Sequence, residues 1–385
     1  MIPYGRQHIT DRDVDAVVEV LRSPFLTQGP AVPLFEAELT AYTGAAHAVA
    51  ANSATSALHI AYRALGLGEG DSLWTSPNTF VATANAALYC GAKVDFVDID
   101  PLSYNMSVEA LAEKLSRAEK NGSLPKIVSV VHFAGQSCDM AGIAELADKY
   151  GFYVVEDASH AIGATYGNVP VGRCAYSSIC VFSFHPVKII TTAEGGAATT
   201  NDPDLAEKMR LLRSHGVTRE RALMRDKPDD QWYYEQVDLG FNYRMTDIQA
   251  ALGVSQMARL DEYVAKRHDI LRLYSETLKG LPLILPHQPD GQRSALHLYP
   301  VQIAEGATRG RREVFDLLRA DGVGVNVHYI PVHTQPYYRD FGFKVGDYPE
   351  AEAYYSRAIS LPMFPQLTDE DIAVVTGALE KHLAS

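Results

Sequence analysis

Nowhere in this chain do about 18 apolar residues follow one another, and its first ten residues lack the basic-then-apolar order of an export signal. A membrane-spanning helix and a secretory leader are both unsupported, so the expected setting is the cytoplasm. Cysteine is scarce. Cys90, Cys138, Cys174 and Cys180 sit among apolar or small residues without paired metal-ligand spacing, which points to buried free thiols and to neither disulfides nor a metal site. Positive charge is also in deficit: 34 Lys and Arg stand against 47 Asp and Glu, a net charge of -13. That balance argues against nucleic acid or an anionic membrane as the principal partner, and an anionic substrate then needs a local basic pocket. No Pro-, Gly- or Ser-rich run, like-charge block or internal repeat marks a disordered arm, so the chain is expected to fold throughout.

At 385 residues the chain exceeds one small core, and a large domain with a smaller one is the expectation. Thr10-Asp-Arg-Asp opens a capped helix with Val14, Val17, Val18 and Leu21 on its apolar face, and a second helix begins near Val32. Short apolar runs then occupy residues 46–51, 73–75, 93–97, 127–132, 153–156 and 178–184. Between them, residues 53–65, 82–89 and 140–150 have helical spacing and few breakers. This alternation predicts an α/β fold with a mostly parallel central sheet covered on both faces. One long helix is expected from about Ser255 to Leu278. The division follows near 255, giving a large domain with an N-terminal arm over 1–255 and a small C-terminal α/β domain over 256–385.

In such sheets ligands gather beyond the carboxyl ends of the strands. Phe182-Ser-Phe-His-Pro-Val-Lys188 ends a predicted strand on a lysine, ahead of the Gly-rich turn reaching Gly196. A lysine held there in a partly desolvated site loses basicity, and its neutral amine becomes a nucleophile; a lone lysine is otherwise a surface cation. Upstream by 31 residues, Val154-Val-Glu-Asp157 places an acid at the end of an apolar strand. A strand-end aspartate can cap a turn, or it can hold the proton on a pyridine nitrogen and make that ring an electron sink. Asn52-Ser-Ala-Thr-Ser56 precedes a helix and is either an ordinary N-cap or a phosphate anchor. Phe80 is a core ring or a shelf for a flat heterocycle.

In this chain order the motifs resemble the DegT/DnrJ/EryC1/StrS sugar aminotransferases over nearly the whole sequence. The resemblance is carried by Leu26-Thr-Gln-Gly-Pro30, Asn52-Ser-Ala-Thr-Ser-Ala-Leu58, Pro77-Asn-Thr-Phe-Val-Ala82, Glu156-Asp-Ala-Ser-His-Ala161, Phe182-Ser-Phe-His-Pro-Val-Lys188, Gly240-Phe-Asn-Tyr-Arg-Met-Thr-Asp247 and Val327-His-Tyr329. It implies the type I fold of pyridoxal 5'-phosphate enzymes. Lys188 would hold that cofactor covalently and Asp157 would pair with its ring nitrogen. His160 would face the 3-hydroxyl side, and Phe80 would stack on the ring. Thr55, Ser183 and the backbone near Ala54 would hold the phosphate. Asn242 would reach the phosphate of the neighbouring subunit's cofactor, which implies a homodimer with shared active sites. Tyr4, Leu26, Thr27, His328 and Tyr329 match substrate-lining positions.

Val131-His-Phe-Ala-Gly-Gln-Ser-Cys138 and Ser183-Phe-His-Pro-Val-Lys-Ile-Ile190 are similar to the branch of the family that serves pseudaminic acid biosynthesis. That branch implies L-glutamate as amino donor and a UDP-linked 4-keto-6-deoxy-N-acetylhexosamine as acceptor, aminated at C4. Another nucleotide-linked keto-sugar, of the perosamine or aminoarabinose type, is the alternative, and a cofactor-binding regulator without turnover is a third reading. The intact Lys188 and Asp157, with no DNA-binding extension or basic patch, speak against the regulator. Arg213, His215, Arg244 and His328 are candidates for the nucleotide diphosphate. One departure follows the lysine: the family usually has Gly-Glu-Gly-Gly, and this chain has Ala193-Glu-Gly-Gly196. Should that backbone need a positive φ, alanine costs roughly 1 kcal/mol.

Overall fold

The computed structural model describes residues 1–226 and 230–383. Seven of its strands form the central sheet: β1 (His47–Ala51), β2 (Ser72–Thr75), β3 (Lys93–Phe96), β4 (Ile127–Val131), β5 (Tyr153–Asp157), β6 (Ile179–Ser183) and β7 (Gly196–Thr200). Their order is β1-β7-β6-β5-β4-β2-β3. Every pair is parallel except those of β7, which runs against both β1 and β6. The continuous apolar runs of β4 and β6 are buried along their whole length, as expected of strands covered on both faces. The alternation read from the sequence therefore places six of these seven strands within a residue or so of their expected positions; β7, which follows the Gly-rich turn and has small and hydroxyl side chains, was not among the expected runs.

The α-helices up to residue 277 are α1 (Asp11–Arg22), α2 (Ala31–Thr43), α3 (Ala54–Ala64), α4 (Ala82–Tyr89), α5 (Val108–Asn121), α6 (Met140–Tyr150), α7 (Pro203–Arg213), α8 (Asp247–Met257) and α9 (Leu260–Thr277). Side chains alternate across a strand. Val155, Ile179 and Val181 thus pack with α3, α4 and α7, whereas Cys180 and Phe182 pack with α2, α8 and α9. By the same alternation Asp157 points to the α3–α4 side and its neighbour Glu156 to the other. A separate core surrounds the short sheet of β8 (Leu283–Ile284), β9 (Tyr299–Ile303) and β10 (Ala358–Leu361). Helix α9 is shared: Leu260 and Val264 pack in the core of Phe182, α2 and α8, Ile270 and Tyr274 in the small one. The N-terminal arm also joins the small unit, with Ile2 N–H donating to Gly322 O at 2.9 Å. The four cysteines are buried free thiols, and burial pushes Cys90 and Cys174 up to about 12.

One helix was expected from Ser255 to Leu278, and two are found, α8 and α9, broken at Ala258 and Arg259. No glycine or proline marks the break. Its cause is tertiary: Arg259, at φ -116 and ψ 7, turns its guanidinium onto buried Asp13 of α1, with Nη2 at 2.7 and 2.6 Å from the two carboxylate oxygens. The helix stops so that the cation can reach α1.

Helix α2 has no side-chain cap of its own, because Pro30 stands at its N-cap. Asp247, the first residue of α8, supplies the missing acceptor. Its Oδ1 accepts the Ala31 N–H at 2.8 Å and its Oδ2 the Gly29 N–H at 2.9 Å. Gly29 must be glycine for this, since a Cβ there would lie 2.5 Å from the Phe25 Cβ. A second special turn follows Lys188. Ala193 adopts φ 65, the left-handed region that the alanine-for-glycine departure put in question.

Asp247→Ala leaves two half-buried N–H groups without that acceptor and should lower unfolding stability by about 1–2 kcal/mol. A urea midpoint equal to that of the native chain would remove this capping role. Ala193→Gly relieves the left-handed alanine and should raise stability by about 0.5–1 kcal/mol after the added chain entropy of glycine. A lower melting temperature would show that the turn is not strained there.

Candidate active site

Strands β1, β2, β4, β5 and β6 share one direction, so their carboxyl ends meet along one edge of the sheet, and antiparallel β7 starts at that edge. The segments that leave it enclose a cavity of about 510 Å³. Such an edge is where a mostly parallel sheet binds ligands.

Asp157, the last residue of β5, lies 5% exposed at the floor. Thr83 Oγ1 of α4 donates to its Oδ2 at 2.6 Å, and Ser159 donates to its Oδ1 from both Oγ (2.5 Å) and N (3.1 Å). Among the described residues no fixed cation pairs with this buried carboxylate. Lys188 lines the same cavity, partly exposed to it. Burial pushes its amine down to about 8, while the Asp157 charge works in the opposite direction. Roughly a tenth of this amine is therefore neutral at pH 7, against a negligible fraction for an ordinary lysine.

The loop after β1 presents the first turn of α3. Ser53 caps that helix by accepting the Ser56 N–H at 3.1 Å, and the N–H groups of Ala54 and Thr55 have no intrahelical acceptor. Gly196 brings β7 against this turn, and a Cβ on it would lie 2.4 Å from Ala54 N. Ala54, Thr55 and Ser183 all face the cavity, so free N–H groups, two hydroxyls and the positive end of a helix converge there. The bland reading of Asn52-Ser-Ala-Thr-Ser56 as an ordinary cap is also true: Ser53 caps, which frees its neighbours to bind an anion.

Buried His160 accepts the Ala134 N–H on Nδ1 at 3.2 Å, which leaves its proton on Nε2, 3.0 Å from the Tyr329 hydroxyl. Burial, with Lys188 and His328 adding to it, holds this imidazole well below its usual pKa and therefore neutral. Burial and Lys188 likewise push His328 down to about 3. Phe80 is 60% exposed, its ring centroid 6.3 Å from that of Tyr329. An aromatic side chain this open at a cavity wall is a shelf rather than core. An unpaired buried carboxylate, a helix-start anion site and an open aromatic face together fit a flat phosphorylated heterocycle whose ring nitrogen carries a proton.

The structure thus brings together Tyr4, Ala54, Thr55, Phe80, Asp157, His160, Ser183, Lys188, His328 and Tyr329. It leaves Leu26, Thr27 and Asn242 outside this cavity. Thr27 bridges to Thr246, and the Asp247 N–H donates to Leu26 O at 3.0 Å, so exposed Leu26 and Thr27 join the segment that carries exposed Asn242. Of the residues considered for a diphosphate only His328 lines the cavity. Arg213 is committed to Glu36 at 2.6 Å and to Ala50 O at 2.7 Å, and neither His215 nor Arg244 reaches the cavity wall. The sequence reading missed Thr83, Ser159 and His297. Ser159 had a signal, the Asp-x-Ser spacing of a local turn. Thr83 and His297 had none, because only packing brings them to Asp157 and Lys188.

Among relatives, the spore coat polysaccharide biosynthesis protein SpsC of Bacillus subtilis is 40% identical over 384 residues, covering 98% of this chain and 96% of that protein. The UDP-4-amino-4,6-dideoxy-N-acetyl-beta-L-altrosamine transaminase of Campylobacter jejuni is 38% identical over 380 residues, with 98% and 96% covered. Among solved structures, Helicobacter pylori PseC, an aminotransferase involved in pseudaminic acid biosynthesis, superposes with a TM-score of 0.91 at 33% identity and 99% of both chains covered. The family model for the DegT/DnrJ/EryC1/StrS aminotransferases matches residues 7–380, and this chain belongs to that family.

Proposed function

We propose that this chain is a pyridoxal phosphate-dependent transaminase that moves the amino group of L-glutamate to C4 of a UDP-linked 4-keto-6-deoxy-N-acetylhexosamine. The observation that carries the chemistry is Lys188, an amine of depressed basicity in one cavity with a buried, cation-free carboxylate. The acceptor rests on the named substrate class of the Campylobacter relative and on the fold match to PseC. SpsC, at similar identity, bears a name that points only to polysaccharide biosynthesis, so a different nucleotide-linked keto-sugar is the competing reading. No helix among the described residues is long and apolar enough to cross a membrane, and a cytoplasmic enzyme is the setting we propose.

Aminotransferases of this family use pyridoxal phosphate. When bound, that group supplies an electron-withdrawing ring that stabilises negative charge at the donor's α-carbon. Asp157 would accept a hydrogen bond from the protonated ring nitrogen and keep that proton in place. Ala54, Thr55 and Ser183 would hold the phosphate at the start of α3. Phe80 would cover the ring, and neutral His160 would stand beside it. Lys188 Nζ would anchor the cofactor at rest and, once freed as a neutral amine, would be the base that takes the donor's α-proton and holds it for return. In the second half the same amine carries the proton the other way, to sugar C4. Tyr4, His328 and Tyr329 line the side where that sugar enters. Leu26, Thr27 and Asn242 serve the neighbouring subunit's site in a homodimer, which accounts for their place on a ridge outside their own cavity.

Purified holoenzyme should lose its lysine-linked cofactor band on addition of L-glutamate and regain it with the UDP-keto-sugar. Lys188→Ala should abolish both changes, and Asp157→Ala should slow them by roughly 100-fold or more. A panel of keto-sugars separates the two acceptor readings, and turnover confined to a GDP-linked or pentose acceptor would overturn ours. A pH prediction follows from Lys188. Because burial lowers its pKa, the reactive neutral amine should be present at lower pH than for an ordinary lysine. Capture of pyridoxal phosphate by the apo chain, followed by stopped-flow absorbance, should accelerate about tenfold per pH unit and level off above about 8. A rate still climbing through pH 10 would mean an unperturbed amine.

A further inference from the structure

Arg267 of α9 is the largest fully buried side chain among the described residues, at 1% exposure. No carboxylate pairs with it there. Its Nη1 donates instead to three carbonyls, Leu296 O at 3.0 Å, His297 O at 3.3 Å and Met363 O at 2.8 Å. Burial lowers its pKa to about 9, so it stays charged at neutral pH, with carbonyl dipoles in place of a counter-ion. An apolar residue of similar volume would fill this space at less desolvation cost. Packing alone therefore does not account for a guanidinium here.

The carbonyls belong to segments that meet behind the cavity. Residues 294–298 cross behind His160: Ala295 N donates to Gly135 O at 3.0 Å, and Leu298 N to Ala134 O at 3.3 Å. The approach is so close that a Cβ on Gly135 would lie 2.8 Å from Leu296 N, and Leu296 itself adopts φ 52. The reward of this crossing is the place of His297. Its ring stands 4.4 Å from the His160 ring and lines the cavity with Lys188, yet its Nδ1 is buried without a hydrogen-bond partner. No side-chain bond holds that imidazole, so its backbone must. Met363, the third acceptor, is tied by its own N–H to Tyr4 O at 3.0 Å, which makes the other end of the clamp a fixed point of the small unit.

We propose that Arg267 is a positioning residue: its guanidinium clamps the 294–298 segment to the Met363 turn and so holds His297 against His160, in the wall that receives the cofactor. The inference rests on the cavity being the cofactor site, but the first of its two tests reads the apo chain and is independent of cofactor, donor and acceptor.

Arg267→Met keeps the length of the side chain and loses every donor; Arg267→Lys keeps the charge on a single donor centre. Carbon-13 imidazole NMR of the apo chain reads the clamp. In the native chain His297 is buried and faced by Lys188, His160, Arg267 and His328, all of which oppose its protonation, so its signal should stay flat between about pH 5 and 8. In Arg267→Met the released ring should titrate near the ordinary value of about 6.5. Buried His132, held 2.7 Å from Glu156, serves as the control and should keep its signal. A flat His297 in folded Arg267→Met overturns the proposal, as does a change shared equally by His132. The second test is a cycle on pyridoxal phosphate affinity, measured by absorbance titration of apo variants. Arg267→Lys should weaken binding about tenfold in the native background, the size of one lost charge-assisted bond, and by less than about twofold in His297→Ala. Equal losses in the two backgrounds, or no loss in either, overturn the proposal, and this arm decides alone where Arg267→Met does not fold.

Discussion

A buried carboxylate that no fixed cation among the described residues neutralises is the constraint around which this molecule is arranged. Burying a charge is costly unless hydrogen bonds compensate it, and the hydroxyls of Thr83 and Ser159 do so for Asp157 without cancelling its charge. The carboxylate is left selective for a cationic partner that enters the cavity. Lys188 makes no ion pair with it, and the same burial lowers the basicity of that amine. One desolvated cavity thus holds both a hydrogen-bonded carboxylate and an amine of lowered basicity. A cofactor with a protonatable ring nitrogen and an aldehyde satisfies both at once.

The rest of the fold sets the geometry of that pair. Parallel strands carry Asp157 and Ser183 to one edge, and the reversal of β7 returns the chain to that edge at Gly196, close enough to α3 to leave its first N–H groups facing the cavity. Behind this front, buried polar groups do the tying. Arg259 holds Asp13 at the cost of a helix break, Asp247 caps a helix that starts with proline, and Arg267 spans three carbonyls between the two units. Each is satisfied by groups far away in sequence, so each specifies one tertiary arrangement where apolar contacts would tolerate several.

The legible part of the sequence was the part written locally. Alternation of apolar runs with helical spacing located six of the seven central strands, because strand and helix periods are properties of neighbouring residues; β7, Gly-Ala-Ala-Thr-Thr, has no apolar run to mark it. Lys188, Asp157 and the Ser53–Ser56 turn stood out for the same reason, each at the end of a recognisable run. The helix break at Arg259 was not legible, since Met257-Ala-Arg-Leu260 contains no breaker and its cause lies at residue 13. Nor was Thr83, whose hydroxyl matters only because α4 packs beside β5, or His297, whose relation to His160 is made by a strap held from behind.

By itself, then, the order of residues determined most of the elements up to the sheet edge, the face of β5 on which Asp157 stands and the chemical types available at that edge. Tertiary structure alone decided which of them meet: Arg213 was drawn off to Glu36, His328 was brought to Lys188, and Leu26, Thr27 and Asn242 were set together outside the cavity. The reason is physical. Charge, burial and basicity are properties of an environment, and the environment of these groups is built from segments one to three hundred residues apart.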